Sequence, residues 1–261
     1  MSNPIDQAIC DAAYFLRKSA FTTAFTGAGI SVESGIPPFR GEEGLWNKYD
    51  PKYLDIGFFL SEPEESWQMI KQIFFNFFGA AVPNDAHLVL ARMERHGMLQ
   101  RIITQNIDNL HQEAGSTNIF EFHGNSKKLI CLACFREYHY GKISLKTLPP
   151  RCPDCSGLLK PNFVFFGEQI PIEPLNAAYD AASRSDVFLI IGSTGEVMPA
   201  NQIPPLAKQQ GATIIEINPE ESLYTGRVTD IFIRGKAGEM MKRLAEVLFA
   251  TPLENNKYGV N

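Results

Sequence analysis

Long apolar runs are missing from this sequence. No stretch approaches the ~20 apolar residues needed to span a bilayer. The densest, Ile73 to Val82, is too short and is broken by Asn76. No basic region followed by an apolar run opens the chain, which begins Met1-Ser2-Asn3-Pro4. A secretory signal is therefore not expected, no membrane partner is expected, and the expected location is cytoplasmic. Positive charge is scarce too: 24 Lys and Arg stand against 29 Asp and Glu, for a net charge of −5 and a pI near 5.6. That balance argues against specific nucleic-acid binding, which needs clustered cations. Cysteine is limited to five residues, four of them in two pairs with Cys10 alone. In a cytosolic chain disulfides are rare, so metal ligation is the first reading of the pairs. There is no internal repeat and no low-complexity tract. What remains is an ordinary globular composition, 44% hydrophobic and 20% charged over 261 residues. It suits one large domain, or a domain with a smaller companion, and a monomer is expected.

The apolar pattern predicts alternating strands and helices. Ile5, Ala8, Ile9, Ala12 and Leu16 recur at helical spacing up to about Lys18. Phe21 to Thr26 reads as a strand, and Asn84 to His96 as a helix with Asn84 as its N-cap and Gly97 beyond its end. Further strands are expected at Ile102 to Thr104, Asn162 to Phe166, Val187 to Ile191, Thr213 to Ile217 and Asp230 to Ile233. Helical patterns cover Pro174 to Ser183 and Gly238 to Phe249. Continuously apolar strands between helices predict an α/β fold, a parallel sheet with helices on both faces. Pro37 to Val82 and Ser126 to Lys160 interrupt the rhythm and read as insertions forming a smaller lobe. The expected division is a large domain of 1–36, 84–125 and 160–250, a helical insertion at 37–83, a cysteine module at 126–159, and a polar tail at 251–261.

Cys131-x-x-Cys134 and Cys152-x-x-Cys155 are seventeen residues apart. Two such knuckles at this spacing predict a tetrahedral Cys₄ zinc ribbon. Four thiolates leave no open coordination position, so the zinc is expected to be structural. Basic residues near it (Lys127, Lys128, Arg136, Lys142, Lys146, Arg151) would suit nucleic acid, but the chain as a whole is acidic.

Gly27-Ala28-Gly29 follows a strand, as a phosphate loop does. The dehydrogenase fingerprint wants a third glycine where this chain has Val32. The loop is therefore a dinucleotide loop of another kind, running on through Gly35 into Pro37-Pro38-Phe39-Arg40-Gly41.

The whole segment Gly27 to Gly41 resembles the signature of the sirtuin family. Thr104-Gln105-Asn106-Ile107-Asp108-Asn109-Leu110-His111 resembles its second motif and Glu121-Phe122-His123-Gly124-Asn125 its third. The cysteine pairs follow where that family has its zinc module. Pro161 to Glu168, Gly192-Ser193-Thr194 and Ile217-Asn218-Pro219-Glu220 come next in family order. The resemblance, to bacterial and archaeal forms, runs from about Ala8 to Phe249. It implies a Rossmann-like sheet and an NAD-dependent protein lysine deacylase, chiefly a deacetylase, acting on acylated proteins or peptides. In that chemistry the acyl-lysine amide oxygen attacks the nicotinamide ribose and expels nicotinamide. A ribose hydroxyl then takes the acyl group.

The resemblance also implies roles. His123 would be the general base, which a neutral imidazole can be near pH 7. Asn106 and Asp108 would order the ribose and the nicotinamide amide, although Asp108 could instead cap the next turn. Gln105 would touch the ribose, Arg40 a phosphate, and Phe39 would shield the reactive carbon. Gly27, Ala28, Gly29, Ile30, Gly192, Ser193, Asn218, Glu220 and Ala237 would complete the NAD site. The substrate strand would lie between Val164-Phe165-Phe166-Gly167 and Glu196-Val197. His87, His96 and His111 read as structural.

Relatives that prefer acidic acyl groups carry Tyr-x-x-Arg in the helical insertion. This chain has no arginine between Arg40 and Arg92. Trp67 to Phe78 offers Ile70, Ile73, Phe74, Phe75, Phe77 and Phe78 instead, so acetyl and longer neutral acyl groups are expected. Protein ADP-ribosyl transfer at the same site is the alternative activity. Hydride transfer is disfavoured by Val32, and a non-catalytic NAD-binding module by the His123 motif.

Overall fold

The computed structural model describes residues 3–39, 44–75 and 81–250. Helix α1 (Pro4–Lys18) starts where Asn3 accepts the Ile5 N–H and Pro4 fills the first position, where no N–H is needed. It buries Ile9, Ala12, Ala13 and Leu16. Strand β1 (Thr22–Thr26) follows, buried throughout. The insertion contributes α2 (Ile56–Ser61) and α3 (Pro63–Ile70). Helix α4 (Asp85–Arg95) is capped by Asn84 and stops before Gly97, whose φ of 71° suits glycine. Then come β2 (Arg101–Thr104), α5 (Leu110–Glu113), β3 (Ile119–Glu121), β4 (Gly124–Cys131), β5 (Glu137–His139) and β6 (Leu159–Phe163). The chain continues with α6 (Ile172–Arg184), β7 (Val187–Ile191), α7 (Ile203–Gln209), β8 (Thr213–Asn218), β9 (Ile231–Arg234) and α8 (Ala237–Leu248).

Six strands form one parallel sheet in the order β3-β2-β1-β7-β8-β9. Renumbered within the sheet this is 3-2-1-4-5-6, the doubly wound dinucleotide-binding order. Alternate residues of each strand face opposite layers. Ala24, Ile102, Leu189 and Ile215 pack under α1, α4 and α8. Phe25, Ile103, Ile190 and Ile214 pack under α6 and α7. The strand order reverses between β1 and β7, and a crevice opens at their carboxyl ends.

A second sheet, β5-β4-β6, is antiparallel. Its Leu129, Cys131, Cys152 and Leu159 share one core with Leu45, Leu54, Phe59, Trp67, Ile70 and Ile73 of the insertion. The insertion and the cysteine module thus share one core and pack as one small lobe.

One expected strand lies elsewhere. Asn162 to Phe166 is apolar enough for the parallel sheet, yet only Asn162 and Phe163 are extended in a ladder, at the end of β6 in the antiparallel sheet. A short apolar run does not reveal its ladder partner. Beyond it, Val164 donates to the His123 carbonyl and Phe166 to the Leu54 carbonyl. The Val164 N–H and both backbone groups of Phe166 are thus bonded to loops from two other regions. Helix α7 accommodates Pro204 and Pro205 because in the first turn of a helix proline costs no hydrogen bond.

Candidate active site

The carboxyl ends of β1 and β7 carry two loops that pack at unusually close range. A Cβ on Gly27 would stand 2.7 Å from the Gly192 carbonyl oxygen, and one on Gly29 2.7 Å from the Gly192 Cα. A Cβ on Gly192 would reach within 2.3 Å of the Ile30 nitrogen, and its φ of 65° also suits glycine. The Gly27 N–H donates to the Ile191 carbonyl and the Gly29 N–H to the Gly192 carbonyl, at 3.0 and 2.9 Å. These glycines thus have a packing reason of their own, whatever ligand the loop receives. Ile30 lies in the core beneath, fully buried.

Above this junction is a cavity of about 1080 Å³. Its walls take in Gly27, Ala28, Gly29 and Phe39 from the first motif, Gln105 and Asn106 from the second, and His123 from the third. Val164 to Gly167 and Glu196-Val197 line another part, and Gly192, Ser193, Asn218, Glu220 and Ala237 a further one. Residues spread over two hundred positions are brought together. Ile30 and Asp108 stand behind the wall, and Arg40 lies outside the described residues, as do Phe77 and Phe78.

The His123 ring accepts no proton from its nearest partner. Its Nδ1 lies 3.0 Å from the Gln105 carbonyl oxygen, which can only accept. Nδ1 therefore carries the hydrogen and Nε2 keeps a free lone pair. Burial pushes the pKa of His123 down, and the bond to Gln105 partly opposes this. The result is a neutral imidazole on the cavity wall.

Asn106, almost fully buried, donates through Nδ2 to the Gly27 carbonyl at 3.1 Å and lies 3.2 Å from the Ser31 hydroxyl. Ser31 donates to Asp108 Oδ2 at 2.7 Å, and Asp108 Oδ1 accepts the Leu110 N–H at 2.9 Å. Asp108 therefore does cap the turn leading into α5, and it also anchors the first motif through Ser31. Burial raises its pKa, while these hydrogen bonds pull it down. Gln105 donates to the Ser193 hydroxyl at 3.0 Å, and Asn218 to the Ser193 carbonyl at 3.1 Å. His111 is interior: its Nε2 meets the Thr26 hydroxyl at 2.9 Å and its ring packs on His87 at 4.9 Å. Burial pushes both of these histidines down, His87 to about 4, so both are neutral.

One end of the cavity is aromatic. Phe39 lies 5.3 Å from Trp46 between centroids, Trp46 5.9 Å from Phe166, and Phe74 5.1 Å from Phe163. Of the insertion residues singled out above, Phe74 reaches the wall, whereas Ile70, Ile73 and Trp67 are core. Glu33, inside the first motif, also lines the cavity, and so do Trp46, Leu54 and Lys236, which no motif covers. Nothing in their spacing marks them, because only the folded lobe carries Trp46 and Leu54 to the wall. Glu33 accepts the Gly238 N–H at 2.5 Å, capping α8 from the first motif.

The four cysteine sulfurs lie within 4.8 Å of one another. Cys131 and Cys155 are 3.5 Å apart, and Cys134 and Cys152 3.8 Å. A tetrahedron with zinc–sulfur bonds of ~2.3 Å has edges of roughly 3.8 Å, so the donor set fits zinc. The Ala133 and Cys134 N–H groups point at Cys131 Sγ, as thiolates require.

A doubly wound sheet, a cavity at its switch point and a Cys₄ module on a side lobe define a nucleotide-binding α/β protein with a structural metal. A family model, the Sir2 family, matches residues 27–199. A Pyrococcus furiosus NAD-dependent protein deacylase is 44% identical over 238 residues, covering 88% of this chain and 94% of its own. An NAD-dependent protein deacetylase of Pyrobaculum aerophilum is 41% identical over 240 residues, covering 91% and 94%. Among solved structures, a mutant Sir2 homologue in complex with ADP-ribose superposes with a TM-score of 0.86 at 39% identity, covering 91% and 95%. A Sir2–p53 peptide–NAD⁺ complex gives 0.84 at 35%, covering 90% and 96%. The chain belongs to the Sir2 family, the sirtuins.

Proposed function

We propose that this protein is an NAD-dependent protein lysine deacylase, chiefly a deacetylase, that transfers the acyl group to ADP-ribose and releases nicotinamide. The observation that carries this is His123: a neutral imidazole with its free nitrogen on the wall of a cavity at the β1/β7 switch point. The names of the relatives and the ligands of the superposed complexes support it.

In this reading His123 takes the proton from a ribose hydroxyl. Asn106, held by Gly27 and Ser31, meets the nicotinamide end, with Asp108 acting through Ser31 and Gln105 at the ribose. Gly27, Ala28, Gly29 and Ile30 (through its backbone) face phosphate, and Phe39 covers the reactive carbon. Gly192, Ser193, Asn218, Glu220 and Ala237 take the adenosine side. An acylated peptide lies as a strand between Val164 to Gly167 and Glu196-Val197, gripped by backbone pairing that tolerates many sequences. Cys131, Cys134, Cys152 and Cys155 hold zinc, whose part is to fix the lobe. The large domain comprises 1–36, 84–125 and 160–250, and the lobe 37–83 and 126–159. Every one of these groups comes from one chain, so a monomer suffices; a dimeric mass in sedimentation would contradict that.

The direct test is nicotinamide release from NAD in the presence of an acetylated peptide. The wild type should release it, and His123→Ala should lower kcat by roughly 10²–10⁴-fold, the usual contribution of general-base catalysis. Undiminished turnover by His123→Ala would refute the assignment.

A further inference from the structure

Lys160 is a lysine in the interior, only 4% exposed. Its ammonium is enclosed by the end of its own strand, β6, and the loop that follows. Nζ donates to the Pro161 carbonyl at 3.0 Å, to the Phe163 carbonyl at 2.7 Å and to Glu168 Oε2 at 3.0 Å. An ammonium has three hydrogens, and all three are used. The cation also sits 4.0 Å from the centroid of the Phe165 ring. The same Glu168 oxygen accepts the Phe165 N–H at 2.7 Å. The pair thus ties the end of β6 and the loop after it together from the inside, through two carbonyls, one amide and one ring.

The outer edge of that loop is tied to two other regions. Val164 donates to the carbonyl of His123 at 2.9 Å. Phe166 donates to the Leu54 carbonyl at 2.8 Å and accepts from Ile56 at 3.0 Å. Lys160 is absent from the cavity wall, whereas Phe163, Val164, Phe165 and Glu168 are on it. The ammonium therefore meets no ligand; its effect must pass through the loop.

We infer that Lys160 and Glu168 are positioning residues, which hold Val164 to Gly167 in the shape that receives the acyl-lysine strand beside His123. This rests on the deacylase reading. A buried ion pair is a poor source of stability, since desolvation cancels much of its attraction, and apolar replacements are often as stable. What this pair does supply is one fixed path for a loop whose backbone has no ladder partner inside the parallel sheet.

The test is a set of variants, with binding measured apart from turnover. Glu168→Gln keeps the size and an acceptor but removes the charge. Lys160→Arg keeps the charge. The double variant Lys160→Met with Glu168→Leu removes both charges and leaves the interior apolar. Binding of a fluorescent acetyl-lysine peptide and of ADP-ribose is followed by anisotropy and calorimetry, alongside Tm and the separate KM values for peptide and NAD. Peptide Kd and KM should rise about tenfold in Glu168→Gln and in the double variant, the worth of one charge-assisted hydrogen bond. ADP-ribose affinity should stay within about twofold, Lys160→Arg should retain most of the peptide affinity, and the double variant should keep its Tm. Unchanged peptide binding in the double variant would overturn the proposal, as would equal losses for peptide and ADP-ribose. Failure of the wild type to release nicotinamide would instead overturn the deacylase reading, and the split between peptide and ADP-ribose binding would still be measurable.

Discussion

His123 can accept a proton only while its imidazole is neutral, and its surroundings favour that form. Burial lowers its pKa from the ordinary 6.5, and the Gln105 carbonyl recovers part of the drop by stabilising the N–H that the ring keeps. A base is active above its pKa, so lowering the pKa extends the active range downward. The acid limb of kcat/KM, which reports the free enzyme, should inflect below 6.5. An inflection above 7 would mean that a different group is the base. The same scale explains what could be read in advance. His123, the four cysteines and the glycine pair stand in motifs whose order along the chain is informative. Trp46, Leu54 and Lys236 stand in none, and reach the cavity only through packing. Of the two readings of Asp108 the structure shows the cap: one oxygen accepts the Leu110 N–H ahead of α5, and the other meets Ser31.

Among the elements, the cysteine module is the one that needs help. Strands β4, β5 and β6 present little apolar surface, and their core residues Leu129, Cys131 and Leu159 share the small lobe with Trp67. The Trp67 indole donates to the Leu159 carbonyl at 2.8 Å, across the seam between insertion and module. Zinc in a closed thiolate site contributes folding free energy directly. Atomic absorption should find one zinc per chain, and stripping it with a chelator should loosen that seam and shift tryptophan emission to the red. An unchanged spectrum in zinc-free protein would show that the lobe stands without metal. The insertion also bears on acyl choice. Among the described wall residues Lys236 is the one cation, beside Ala237 at the start of α8, while the Phe74, Phe163 and Trp46 end is aromatic. Among the described residues at that end a succinyl carboxylate would find no partner. The kcat/KM for an acetylated peptide should exceed that for its succinylated twin by at least about tenfold, from one unpaired buried charge; the reverse order would refute the reading. Strands with continuous apolar runs, such as Val187–Ile191, were legible because burial on both faces removes polar residues. Strand β3 and the end of β6 were not. The first is three residues long, and the second shares its composition with parallel strands while pairing in another sheet.

At the scale of the whole molecule, the doubly wound sheet builds the nucleotide crevice, and the small lobe supplies the aromatic end of the same cavity. That union is what separates acyl transfer from the chemistry of other dinucleotide-binding sheets. A deacylase needs NAD and a lysine side chain to meet at one histidine. Among the described residues no helix is long and apolar enough to cross a membrane. Mass spectrometry of the products formed from NAD and an acetylated peptide tests this account most directly. It should find nicotinamide, deacetylated peptide and O-acetyl-ADP-ribose in equal amounts, with deacetylated peptide and O-acetyl-ADP-ribose lowered roughly 10²–10⁴-fold by His123→Ala. Reduced cofactor, or ADP-ribose attached to protein with the acetyl group still on the peptide, would contradict it.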